Sequence, residues 1–225
     1  MKTLGPPLLI LTLLCLAASP CAHARTIAWG SELDSILVDS DGVTLGASHT
    51  FELGTFGTFV PTSVNIDLWL TNWKAFDRAT VPIGFNPSEG WVSSAATLEA
   101  DMTSSRSDLP QHAFTVGEQA YIMVYDSLAL SDPATELALI TDASWLMPTS
   151  DTHSPDTRDW RINAAGTAVF GGLNNIQGPG QYGVNPNAFV LQTHNSPSPI
   201  PEPGSALLLT SLGLMIRRKR PTVRG

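Results

Sequence analysis

Apolar positions recur along this chain with two different periods. In Thr50-Phe51-Glu52-Leu53 they alternate, with Phe51 and Leu53 on one face and Glu52 on the other, which is the period of a half-buried strand. In GEQAYIMVYD, residues 117–126, Tyr121, Met123 and Tyr125 point one way and Ile122 and Val124 the other. Both faces are apolar, so the segment predicts a central strand covered from two sides. Residues 26–29, 35–38 and 136–140 predict further strands, with weaker ones at 160–162, 167–170 and 188–193. Asp39-Ser40-Asp41-Gly42 predicts a turn, because the glycine admits the positive φ that such turns need. Gly171-Gly172, Gly178-Pro179-Gly180 and Asn185-Pro186 mark loops.

The second period is helical. In TSVNIDLWLTNWKAFDRA, Ile66, Trp69, Leu70, Trp73 and Phe76 fall on one helix face, Ser63 is placed as an N-cap, and Asp67 lies in the first turn. The spacing predicts an amphipathic helix of about three to four turns, packed by its aromatic stripe on a sheet. Seven or more short strands, one such helix and no strand–helix–strand alternation predict a mainly β fold, an antiparallel β-sandwich with a short amphipathic helix.

Both termini depart from this pattern. Lys2, an apolar run over residues 8–18 and Ala22-His23-Ala24 have the layout of a secretory signal peptide, with Ala22 and Ala24 as the small residues of the cleavage site. Arg25 directly after the cut is an unfavourable neighbour. Cys21 raises a lipoprotein signal as the alternative, against which Pro20 stands where a small residue is wanted. Both cysteines, Cys15 and Cys21, lie in the removed segment, so the mature chain has no disulfide and no thiolate chemistry. Residues 1–24 are thus the signal peptide, 25–194 a β-rich extracellular domain, 195–200 a Pro/Ser linker and 201–225 a separate C-terminal unit.

Between Arg25 and Pro199 there are 19 acidic and 6 basic residues, a net charge of −13. An acidic body of this kind repels phosphate backbones, which argues against nucleic acid as a partner.

The C-terminal unit has three parts: Pro201-Glu202-Pro203-Gly204, an uncharged stretch ending at Ile216 (the helix, 205–216), and a basic tail (217–225) headed by Arg217, Arg218, Lys219 and Arg220. As a helix the uncharged stretch covers only about 17–20 Å at ~1.5 Å per residue, against a hydrocarbon core of ~30 Å. It is a poor permanent anchor and a sufficient temporary one, with the basic cluster held on the cytoplasmic side. An ordinary C-terminal anchor is the alternative.

This layout resembles the PEP-CTERM sorting signal of exopolysaccharide-producing Gram-negative bacteria. The resemblance implies recognition by exosortase, with Pro201, Glu202, Pro203 and Gly204 as the sorting motif and Arg217, Arg218, Lys219 and Arg220 as the stop-transfer cluster. It further implies export through the inner membrane, a transient membrane tether, signal peptidase as a second processing partner, and delivery to the cell surface or the exopolysaccharide matrix. The hydrophobic part is shorter than the usual pattern, and Pro221 to Gly225 extend past the basic cluster. FELGTF (51–56), NWKAFD (72–77), GEQAYIMVYD and ELALITDASWLMP (136–148) resemble blocks of uncharacterised verrucomicrobial-type PEP-CTERM proteins, a family with no assigned activity.

Little in the body points to chemistry. His49, His112, His153 and His194 are isolated from one another and read as exposed loop residues, not a metal site. The motif of a serine-hydrolase elbow or a phosphate loop is absent. Asp39 and Asp41 begin like a calcium loop, but VTLGASHT supplies no distal glutamate. No cofactor, metal or catalytic residue is therefore assigned, and the chain reads as a non-enzymatic exported protein. Among six tryptophans, Trp91 and Trp145 stand at loop margins and are the candidates for glycan contact. They keep open a carbohydrate-binding module on exopolysaccharide, and paired carboxylates keep open a polysaccharide hydrolase.

Overall fold

Residues 120–125, rich in β-branched and aromatic side chains, form the middle of the largest sheet. In a computed structural model of the chain, the structure describes residues 24–127, 136–149, 157–174 and 189–195. Among them the strands are β1 (Arg25–Gly30), β2 (Ile36–Val38), β3 (Thr50–Thr55), β4 (Lys74–Ala79), β5 (Phe85–Asn86), β6 (Trp91–Leu98), β7 (Ala120–Tyr125), β8 (Glu136–Thr141), β9 (Arg158–Arg161), β10 (Thr167–Phe170), β11 (Gly172–Leu173), β12 (Val190–Gln192) and β13 (His194–Asn195). The body is mainly β, with one short α-helix, α1 (Trp69–Asn72).

The six-stranded sheet runs β10-β8-β7-β3-β4, with β13 also on β8; the four-stranded sheet runs β5-β6-β1-β9, and β11-β12-β2 form a third. Pairing is antiparallel except at β1–β9 and β2–β12. One apolar cluster joins Ile27 and Trp29 of β1 and Val92, Ala96 and Leu98 of β6 to Phe51 and Leu53 of β3 and Ile122 and Val124 of β7. On the other face of the six-stranded sheet, Met123, Tyr125, Leu137 and Leu139 pack with Phe56, Ile66, Trp69, Trp73 and Leu109. The sheet is therefore buried on both sides, and β7 is the covered central strand that its two apolar faces predict. The Glu136 carboxylate accepts from Ser40 and Thr193, tying the smallest sheet to β8.

The helix of three to four turns predicted around Ile66 to Phe76 does not form. Ile66–Leu68 forms a turn of 3-10 helix, α1 adds four residues, and Trp73 is already extended. Ser63 is not a cap. Asn65 precedes the first helical residue, and its Oδ1 instead accepts from the Thr62 N–H and the Trp69 indole at 2.8 and 3.0 Å. The reason lies in residues 74–79. They find a better partner in β3, with Glu52 opposite Arg78 and Leu53 opposite Asp77. Tertiary pairing thus overrides a local helical period.

A register shift beside Leu53 leaves Phe76 without a paired residue on β3. Phe76 and Asp77 consequently reach the same core, Phe76 against Phe114 and Asp77 against Trp29. Re-aiming of a side chain is what a β-bulge does. Gly54 sits at this shift because a Cβ there would lie 2.4 Å from the Lys74 carbonyl oxygen and 2.7 Å from the Trp73 ring.

Candidate functional site

The hairpin between β5 and β6 leads into the one tryptophan that is not buried, Trp91. Asn86 Oδ1 accepts from the Ser88 N–H, the Ser88 hydroxyl and the Glu89 N–H, while the Gly90 N–H donates to the Asn86 carbonyl at 2.9 Å. Gly90 closes the turn at φ +70°, a region that favours glycine. Trp91 follows directly and is half-buried. Its Nε1–H donates to Glu89 Oε2 at 2.7 Å, which fixes the ring on a short, tight turn.

Alternation along β6 sends Val92 inward and Trp91, Ser93, Ala95 and Thr97 to the outer face of the four-stranded sheet. The neighbouring rows are small: Gly30 pairs with Ser93, Ala28 with Ala95 and Thr26 with Thr97. On β9 the one acid and one base of the outer face neutralise each other, Arg161 to Asp159 at 2.8 Å.

The other candidate indole is placed differently. Trp145 is 2% exposed and stacks on Trp160 with ring centres 6.4 Å apart. It is a core residue, in the cluster that joins the sheets. Trp29, Trp69, Trp73 and Trp160 are buried as well. Of the six tryptophans only Trp91 offers a ring to solvent. The structure therefore brings Trp91 and Trp145 to different environments, not to one surface.

The histidines also differ from expectation. His49 is buried, with no hydrogen-bond partner for either ring nitrogen, instead of lying in solvent. His194 is in β13 with its ring edge-on to Phe170. His153 lies outside the described residues. Among the described residues no three His, Cys, Asp or Glu side chains gather as metal ligands. Asp39 acts as a turn former: its Oδ1 accepts from the N–H groups of Asp41 and Val43 at 3.0 and 2.7 Å.

A group of charges that periodicity does not reveal lies across β3 and β4. Glu52 is 1% exposed; Trp73 Nε1 donates to its Oε2 and Arg78 Nε to its Oε1, both at 2.7 Å. Asp77 is fully buried and accepts from Trp29 Nε1, Ser94 Oγ, the Arg78 N–H and Arg106. Arg106 continues to Asp108 through two hydrogen bonds, which hold the Asp108 carboxyl below the ordinary aspartate value and raise Arg106. Burial is the largest single influence on the Arg78 guanidinium and lowers it, but several raising contributions, led by the charge and hydrogen bond of Glu52, together outweigh it and the net direction is up.

Two buried carboxylates are what a search for general acids and bases looks for. Here Glu52 is held by an indole and a guanidinium, and Asp77 by an indole, a hydroxyl, a backbone N–H and a guanidinium, an arrangement that pins strands together in a region closed to solvent. The signal that could have found Glu52 is a charged residue inside an otherwise apolar strand, as in FELGTF; KAFDRA, which also carries Lys74 and Arg78, gives no such signal for Asp77.

Ala24 is described, exposed and immediately precedes β1. Ala22, Pro201, Glu202, Pro203, Gly204, Arg217, Arg218, Lys219 and Arg220 lie outside the described residues. No helix among the described residues is long and apolar enough to cross a membrane. Comparison with known proteins finds no matching family model, no similar curated protein and no similar solved structure.

Proposed function

We propose that this chain is an exported, non-enzymatic surface or matrix protein with a β-sandwich body. It is tethered transiently in the inner membrane, cut at residues 201–204 by exosortase, and sorted to the cell surface or exopolysaccharide. The observation that carries the reading is the joint presence of four parts on one chain: the N-terminal signal, Pro201-Glu202-Pro203, a greasy stretch too short for a stable span, and the Arg217–Arg220 cluster. The burial of Glu52 and Asp77 among structural donors supports a scaffold over a catalyst.

Intact mass of the protein recovered outside exosortase-bearing cells tests this. The expected species lacks the first 24 residues and everything beyond about Gly204. Glu202→Ala should move the protein to the membrane fraction with its C-terminus intact. Mature wild-type protein that keeps Arg217–Arg220 while embedded in the membrane sinks the reading.

A second reading, attachment to glycan, is favoured by the fixed, half-exposed ring of Trp91. Trp91→Ala should weaken retention on immobilised exopolysaccharide about tenfold, the scale of one lost stacking contact of ~1.4 kcal/mol. Unchanged retention removes Trp91 from consideration. Trp145→Ala cannot serve in that assay, since deleting a buried indole costs about 3–5 kcal/mol of stability.

A further inference from the structure

We propose that β10 is a docking edge for a second copy of this chain, each copy adding a strand to the other's sheet, antiparallel about a two-fold axis.

Among the described residues β10 ends the six-stranded sheet, with Thr167 opposite Thr141 and Ala168 opposite Ile140 of β8. In an antiparallel ladder, alternate residues of an edge strand turn both N–H and C=O away from their partner. Such a row is a template for another chain unless it is short, charged or covered. The other edges each have one of those protections. β4, at the far side of the sheet, is capped: the Phe76 carbonyl accepts from Ser104 Oγ at 2.6 Å and the Arg78 carbonyl from Arg106 at 3.1 Å. β9 carries Arg158, Asp159 and Arg161, while β5, β11 and β13 have two residues each. β2 is three residues long, and Thr44 bridges to its Val38. The four residues of β10, by contrast, are all uncharged and none is buried.

The surface beside this edge is apolar. A bulge at Val169 brings Val169 and Phe170 to the same aromatic cluster, where Phe170 meets Trp69 edge-on with ring centres 6.3 Å apart. That contact sets the segment leading into Trp69 next to β10. In it Val60, Val64 and Leu68 are 71%, 90% and 47% exposed. A lone exposed valine needs no explanation, but three such side chains in one short segment beside an open strand mark a contact surface.

Charge decides the occupant. Each body carries −13 between Arg25 and Pro199, so two copies repel. Residues 162–174 have no charge, and Asp67 is the one charge between residues 53 and 73. Two bodies can therefore meet here without bringing carboxylates together, and an edge with unpaired donors and acceptors complements its own two-fold copy. Salt screens the repulsion between the bodies and leaves an uncharged contact intact, so the dimer tightens as salt rises.

The test is sedimentation equilibrium of the full 225-residue chain in density-matched nonionic detergent from ~1 to ~100 µM, the range of weak interfaces. Amide hydrogen exchange is read at the same concentrations. The expected result is a monomer–dimer equilibrium that tightens with salt and slows exchange at residues 167–170 but not at 158–161. Thr167→Glu and Val64→Glu, both at exposed positions, should each weaken it at least about tenfold, because each places like charges across the two-fold axis. Ile83→Glu, at an exposed position in the turn after β4, should leave it unchanged. A chain that is monomeric throughout overturns the proposal, as does a dimer that survives both variants or one that salt dissolves. Slow exchange at residues 167–170 in the monomer would mean that the chain fills its own edge. Protection of residues 60–68 only in phosphatidylcholine vesicles would mean that a bilayer covers them. Either result overturns it as well. Should a variant fail to fold, the exchange pattern of the wild type decides alone.

Discussion

Asp77→Ala is expected to lower the unfolding free energy of the body by about 3–5 kcal/mol, the range for removing one partner of a buried charge pair. Asp77 is fully buried, and four donors converge on it: Trp29 Nε1 at 2.7 Å, Ser94 Oγ and the Arg78 N–H at 2.8 Å each, and Arg106. Alanine leaves these donors facing an empty space in which water cannot replace every bond. The damage spreads because the donors belong to β1, β4, β6 and the chain after β6. Asp77→Asn keeps the shape and one acceptor oxygen but loses the charge, so its cost should be smaller. Urea unfolding of both variants checks this. A loss under about 1 kcal/mol for alanine would show that the network is not the pin described here. A double-mutant cycle with Arg106→Ala isolates the ionic part, since the two residues are in contact and their effects should not add.

The same residue shows where reading the sequence stops. Residues 120–125 were legible because both of their faces are apolar and no competing period fits them. Residues 74–79 were not. Trp69, Trp73 and Phe76 satisfy a helical spacing, and the pairing that defeats it depends on Glu52, distant in the chain and itself expected to face outward. Glu52 does alternate with Phe51 and Leu53, but its face is covered by Trp73 and Tyr125, so alternation gave the side correctly and the environment wrongly. β6 escaped notice for a different reason. After Trp91 its outward residues are Ser, Ala and Thr, which dilute the apolar signal carried by Val92, Ala96 and Leu98.

Trp91 and Trp145 had equal standing on sequence, each beside a loop. What separates them is stacking on Trp160, a contact between elements that no local pattern encodes. The hairpin at Asn86 to Gly90 is a local matter, with Asn at its start and Gly at its end, and such turns are readable in principle. The recognition proposed for the termini is of another kind: it would rest on charge and hydropathy along a linear segment, which a sequence carries without a fold.

Alkaline pH should expose a second weak point, and Tyr125→Phe should remove it. The Tyr125 side chain is fully buried and its hydroxyl has no hydrogen-bond partner. Burial, reinforced by the Glu52 carboxylate, pushes its ionisation far above that of a free phenol. In the unfolded chain the phenol ionises near pH ~10. A folded-state value raised above the unfolded one means that the stabilisation is complete below about pH 10 and is lost as pH rises beyond it. Once the unfolded state has released its proton and the folded state has not, each further pH unit costs ~1.4 kcal/mol. Tyr121, part-buried and raised by the same cause, adds a weaker slope of the same sign. Phenylalanine cannot ionise, so the variant should hold its urea midpoint between pH 10 and 11 better than wild type. At pH 8 it should match or slightly exceed wild type, because an unpaired hydroxyl has been taken out of the core. If variant and wild type fall in parallel above pH 10, Tyr125 is not the buried phenol that makes the body alkali-labile.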